Sequence, residues 1–205
     1  MTSSAFDRSA GNLCLFLRAL AELGAIDPEA EPVGQVSETV ARAFGDSVNQ
    51  AVLAAEVYPI ALTANGLSPK QMLNTKLHGF VANELRDGPF DKHGSGSRVL
   101  DNRGQVDLAE IARFDAFAAD FRSAQTGETV RGLGAEGIKK MLDANFERAQ
   151  ATRRPIDRAL MDAEFPKLLE LMGKESPDGL YLDLGELRTL IVDRQLPTRI
   201  SDRLA

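Results

Sequence analysis

A chain of 205 residues with 43% hydrophobic and 26% charged content has the balance of an ordinary globular protein and enough length to bury a sizeable core, and it reads as one domain over residues 1–205. Its net charge of −6 and pI near 5.1 exclude the basic footprint of a nucleic-acid binder and any pull toward anionic membranes. The single cysteine excludes an internal disulfide and a Cys-rich zinc site, and the absence of a membrane-length apolar run or a signal-peptide pattern points to a soluble cytoplasmic protein.

The first helix is expected over residues 12–23, where Leu13, Phe16, Leu17, Leu20 and Leu23 recur at helical spacing. Asn12 is placed to cap it and Gly24 to stop it. Cys14 falls in the first turn, among unpaired amides at the positive end of the helix dipole, a setting that favours thiolate. The alternative is a small buried hydrophobe. Ser37 reads as the cap of a second helix carrying Val40, Ala41, Phe44, Val48, Val52 and Leu53 on its apolar face, with Gly45 and Pro59 as weak points. Ser68-Pro69 opens a helix to about Leu85. Residues 86–103 are polar and glycine-rich, an irregular stretch of a length that is usually functional.

Asp107 starts the next helix, with Leu108, Ile111, Phe114, Phe117 and Phe121 facing inward. Further helices are expected over residues 136–150, over 156–172 with a division at Pro166, and over 184–193, the last preceded by a Pro177-Asp178-Gly179 turn. The expected fold is therefore all-α, a single compact domain of about seven helices with no repeat and no multi-strand pattern.

Gly132-Leu133-Gly134-Ala135-Glu136-Gly137 fits G-x-G-x-x-G but follows the polar Thr126–Val130 run, so a dinucleotide loop is not expected. Asp101 to Asp107 lacks the glycine and closing glutamate of a calcium loop. His78 and His93 lack metal-ligand spacing. Residues 90–98, Phe-Asp-Lys-His-Gly-Ser-Gly-Ser-Arg, gather an acid, a base, an imidazole and hydroxyls around two glycines. Such a set suits a hard cation such as magnesium, and equally a polar surface loop. Glu164 lies between apolar neighbours just before a proline, where partial desolvation would fit it for proton transfer; an ordinary helix-start glutamate is the plainer alternative.

Taken in order, these pieces resemble the haem-thiolate haloperoxidases, the family of fungal chloroperoxidase and the unspecific peroxygenases. The family's ligand cysteine and the helix after it are similar to Cys14 through Ile26, and its next helix is similar to the stretch from Val36. Its Glu-His-Asp segment, continuing to Ser-x-Ser-Arg, resembles Asp91-Lys92-His93-Gly94-Ser95-Gly96-Ser97-Arg98. Its C-terminal helix and closing Arg-x-x-Pro resemble Leu184 through Pro197. Leu13 and Leu15 stand where the family carries prolines, and Asp91, Lys92 and His93 where it carries Glu, His and Asp.

The resemblance implies a chloroperoxidase-like all-α fold and a haem-dependent peroxidase or peroxygenase. In it Cys14 is the axial ligand of haem b, and Glu164 and His93 are the acid–base residues. Asp91, the Lys92 backbone carbonyl and Ser95 bind a structural Mg2+ or Mn2+. Its partners are hydrogen peroxide and a small organic substrate, with halide as a further reductant. The alternatives are a non-catalytic helical ligand-binding or interaction protein, and a thiol enzyme with Cys14 as nucleophile and a histidine base.

Overall fold

The computed structural model describes residues 11–91, 95–101 and 103–205, and its chain groups into two compact units. Residues 11–91, with 100, 101, 103–106 and 194–205, form the first; residues 95–99 and 107–193 form the second.

The first unit is helical. Helix α1 spans Leu15–Glu22 and has Cys14, not Asn12, at its N-cap position. Helix α2, Val33–Phe44, starts after Pro32; Ser37, expected as its cap, is a buried mid-helix residue whose Oγ donates to the Val33 carbonyl at 2.8 Å. Gly45, at a φ of 67°, ends α2 instead of kinking one long helix. Asn49 then caps α3, Gln50–Thr63, which runs through Pro59. Helix α4, Pro69–His78, opens on a capping box between Ser68 and Gln71, as the Ser68-Pro69 pair predicts, but stops at Gly79 rather than near Leu85. Val33, Val36, Ala61, Ala64, Phe80, Ala82 and Leu85 form a buried apolar cluster in this unit.

The second unit overturns the all-α expectation. After α5, Leu108–Ala112, and a 3-10 turn, the chain makes strand β1, Ala119–Arg122, and strand β2, Thr129–Gly134. Helices α6, Ala135–Arg148, and α7, Pro155–Met172, follow; then β3, Lys174–Ser176, β4, Gly179–Asp183, and α8, Leu184–Val192. The four strands form one antiparallel sheet in the order β1-β2-β4-β3, so the fold is mixed α/β. The strands hide in the sequence because they are short and β2 carries two glycines, poor strand formers. Phe121, expected on a helix face, lies in β1. Pro166 does not divide α7; it sits exposed within a continuous helix. Helix α9, Thr198–Leu204, belongs to the first unit, where Arg203 donates to the Ala43 carbonyl at 2.8 Å, near the end of α2.

The two inner strands are related by their ladder. Leu133 pairs with Leu182 at its centre, and each strand runs straight into a helix. Counting outward from that pair, Ile138 matches Leu187, Met141 matches Leu190 and Leu142 matches Ile191, and all of them are buried. The structural repeat is thus carried by buried positions alone, with Gly-Leu-Gly on one strand facing Tyr-Leu-Asp on the other.

Among the described residues no helix is long and apolar enough to cross a membrane.

Candidate functional site

Cys14 is partly buried. Its N–H donates to Asn12 Oδ1 at 3.2 Å, and its carbonyl accepts the Arg18 N–H at 3.0 Å. Asn12 and Arg18 are both buried, at 1% and 3% exposure. Arg18 Nη1 donates to the Gly104 carbonyl at 2.9 Å. On its other side Cys14 packs with Leu17, Val40, Tyr58, Leu62 and Phe90 against the apolar core of the first unit. Asn12 and Arg18 thus hold the Cys14 backbone, and its side chain packs beside the apolar cluster, where a deprotonated sulfur would be a soft metal donor.

Of the expected cation ligands, Asp91 belongs to the first unit and is 6% exposed. Its Oδ2 accepts the Asp87 N–H at 2.7 Å, closing a turn in which Asp87 has a φ of 62°. Ser95 belongs to the second unit, is also buried, and its Oγ accepts the Ser97 N–H at 3.3 Å. Both oxygens hold their own loops. Lys92 and His93 lie outside the described residues. No cluster of three His, Cys, Asp or Glu able to hold a metal occurs among the described residues. Glu164 is half-buried on α7. Asp101, in the segment excluded as a calcium loop, accepts the N–H groups of Arg103 and Gln105 at 2.7 and 2.8 Å.

The second unit contains a small cleft that sequence reading missed. Val99, Phe114, Phe117 and Met141 give it an apolar wall, and Ser97, Glu110, Arg113 and Asn145 a polar one. Its space is about 200 Å³ including the open mouth, below the range of pockets that enclose drug-sized ligands. Arg148 grips Glu110 with two bonds of 2.7 and 2.8 Å, and Arg113 adds a third at 3.0 Å. Arg148 also donates to the Gly96 carbonyl, tying the 95–99 loop to α6. The Arg148 hydrogen bonds hold the Glu110 carboxyl below the usual range against the opposing effect of burial, with Arg113 assisting. Glu110 is thus held as the anion by its two arginines. The one signal in the sequence is Glu110 and Arg113 at i,i+3 after a capping Asp107; nothing local points to Arg148, 38 residues away.

The G-x-G-x-x-G stretch spans the end of strand β2 and the start of helix α6, so a strand does enter it, contrary to expectation, but its glycines serve packing. A Cβ on Gly132 would stand 2.5 Å from Tyr181 Cδ2, and one on Gly134 2.8 Å from Phe121 Cζ. A Cβ on Gly137 would strike the Phe117 carbonyl. Side chains and backbone occupy the space that a phosphate would need.

A polar cluster closes the far edge of the same unit. Lys174 bridges Asp183 and Glu186 at 2.8 and 2.9 Å, while Asp183 Oδ1 caps α8 by accepting the N–H groups of Gly185 and Glu186. Burial raises the Asp183 carboxyl, but the Lys174 contact and the two cap amides outweigh it and leave it lowered. This cluster joins β3, β4 and α8 and has a structural role.

In comparisons with known proteins, no family model matches this sequence, no curated protein matches it and no solved structure matches it.

Proposed function

We propose that this chain is a haem-thiolate protein acting as a peroxidase or peroxygenase, with Cys14 as the axial ligand. The supporting observation is the setting of Cys14: the sole thiol, partly buried at the start of α1, with Asn12 at its amide and apolar side chains beside it. A thiolate-ligated haem supplies cleavage of the peroxide O–O bond and oxidation of a small organic substrate. The chain's own part is to keep the Cys14 sulfur ionised and to shield it within an apolar shell. Glu164 is assigned the taking and returning of a peroxide proton by the family resemblance alone. The sheet in the second unit departs from the all-α architecture implied by that resemblance, so the proposal rests on Cys14 and not on the fold.

The test is the absorption spectrum of protein expressed with a haem supply, reduced under carbon monoxide. A strongly red-shifted Soret band that disappears in Cys14→Ala is expected. A haem spectrum without that shift removes Cys14 from the ligand role, and failure to take up haem overturns the proposal.

A further inference from the structure

The cleft of the second unit contains an amide that the fold leaves unbonded. Asn145 lies on α6, is 7% exposed and lines the cleft. Its carboxamide makes no hydrogen bond among the described residues. Buried polar side chains are nearly always hydrogen-bonded, and one that is not calls for a partner. The other polar groups of the lining indicate its chemistry. Arg113 gives one guanidinium N–H to Glu110 at 3.0 Å and keeps the rest free among the described residues, with 36% of its side chain exposed. Ser97 adds an exposed hydroxyl. Glu110, the acid of the lining, already faces two guanidiniums. Two arginines against one carboxylate leave one positive charge unbalanced within this cluster.

The site is built without a ligand. Gly96, at a φ of 67°, packs so closely on α6 that a Cβ there would strike the Asn145 carbonyl, and Arg148 donates to the Gly96 carbonyl. The loop that carries Ser97 is therefore fixed on the helix that carries Asn145, which lowers the cost of ordering a site around a ligand.

We propose that this cleft binds a small monocarboxylate with an apolar body of a few carbons. The carboxylate accepts from Asn145 Nδ2, from a free N–H of Arg113 and from the Ser97 hydroxyl, and its charge balances the second guanidinium. The apolar body lies along Val99, Phe114, Phe117 and Met141. A space of about 200 Å³, open mouth included, limits the ligand to that size. A cationic amine would meet two arginines, and a neutral amide would forgo the charge. The cleft lies wholly within the second unit and is independent of Cys14, so this proposal and the haem-thiolate reading fail separately.

Butyrate is titrated into the full, isotope-labelled chain without haem at constant ionic strength, and the Asn145 side-chain amide signal is followed by NMR. A saturable shift with low-millimolar affinity is expected. Arg113→Met should weaken butyrate by about tenfold or more, the contribution of one hydrogen bond to a charged group, with the circular dichroism unchanged. In Asn145→Leu the backbone amide signal of Ser97 should read the same loss. If Asn145→Leu fails to fold, Arg113→Met, at a partly exposed side chain, carries the test. Butyramide and butylamine should each bind more weakly than butyrate by about tenfold or more, since neither pairs with a guanidinium. No saturable shift in the parent protein overturns the proposal. Equal binding of butyramide or butylamine also overturns it, as does unchanged affinity in either folded variant.

Discussion

The ring of Phe121 lies flat on the ring of Tyr181, with centroids 4.8 Å apart and planes within 4°. The two residues come from β1 and β4, and β2 runs between those strands. The rings meet because β2 presents Gly132 and Gly134 on the same face, where any side chain would hold them apart.

The two glycines should not respond equally to substitution. An alanine methyl at Gly132 would also stand 2.9 Å from the Leu182 carbonyl, part of the ladder and unable to yield. At Gly134 it meets the far edge of the Phe121 ring, which can tilt. Gly132→Ala should destabilise by about 1–3 kcal/mol and Gly134→Ala by less, in the range typical of overpacking. Urea unfolding of the two variants measures the difference, and equal losses would contradict the packing account.

Tyr181 is fully buried and its hydroxyl has no hydrogen-bond partner. Removing an unsatisfied buried hydroxyl while keeping the ring relieves a desolvation cost of about 1–3 kcal/mol. Tyr181→Phe should therefore be neutral or more stable in thermal unfolding, an unusual outcome for a core substitution. A clear loss of stability would reveal a partner for the hydroxyl in solution.

Glu110 ties stability to pH. Its carboxyl is lowered in the folded state from an ordinary value of 4.5. A lowered carboxyl contributes stability that is fully present above the unfolded value and is lost as pH falls through the folded one. Glu110→Gln should lower stability at pH 7, where Arg148 and Arg113 lose their anion, by about 1–3 kcal/mol. As pH falls below 4.5 and through the lowered folded value, the difference between the variant and the parent should shrink. Denaturant titrations at pH 7 and pH 3 check both halves of this statement.

Glu164→Gln tests the assigned acid–base residue. In haem-loaded protein it should lower peroxide-dependent turnover by roughly 10²–10⁴-fold, the usual contribution of a proton-transfer group, with the Soret band intact. Normal turnover in that variant would take Glu164 out of the mechanism.

Local signals in the sequence were legible where they are self-contained. Ser68-Pro69 marks a capped helix start and Asp107 another, because each is satisfied by amides within three residues. Pro177-Asp178 marks a turn, and it proves to be the tip of the β3–β4 hairpin. Ser37 misled because a serine can cap a helix or bond back to the preceding turn, and only tertiary burial decides between them. The sheet was illegible because its pairing is non-local: Gly132 and Gly134 look like loop residues until Tyr181 and Phe121 arrive above them. The same holds for the cleft, since the partner of Glu110 lies on another helix. At Cys14 the sequence indicated the helix start, but the unbonded amide of Asn145 becomes visible only with burial.

The pairing of β2 with β4, each leading into its own helix, also sets the order in which the second unit can open. The outer ladders, β1 with β2 and β3 with β4, close short hairpins, whereas three residue pairs centred on Leu133 and Leu182 join segments on either side of two whole helices. Contacts of such long sequence separation are the costly ones to form. Hydrogen exchange at the central pairs therefore reports unfolding of the unit as a whole, while exchange along β1 and β3 reports fraying of its margins.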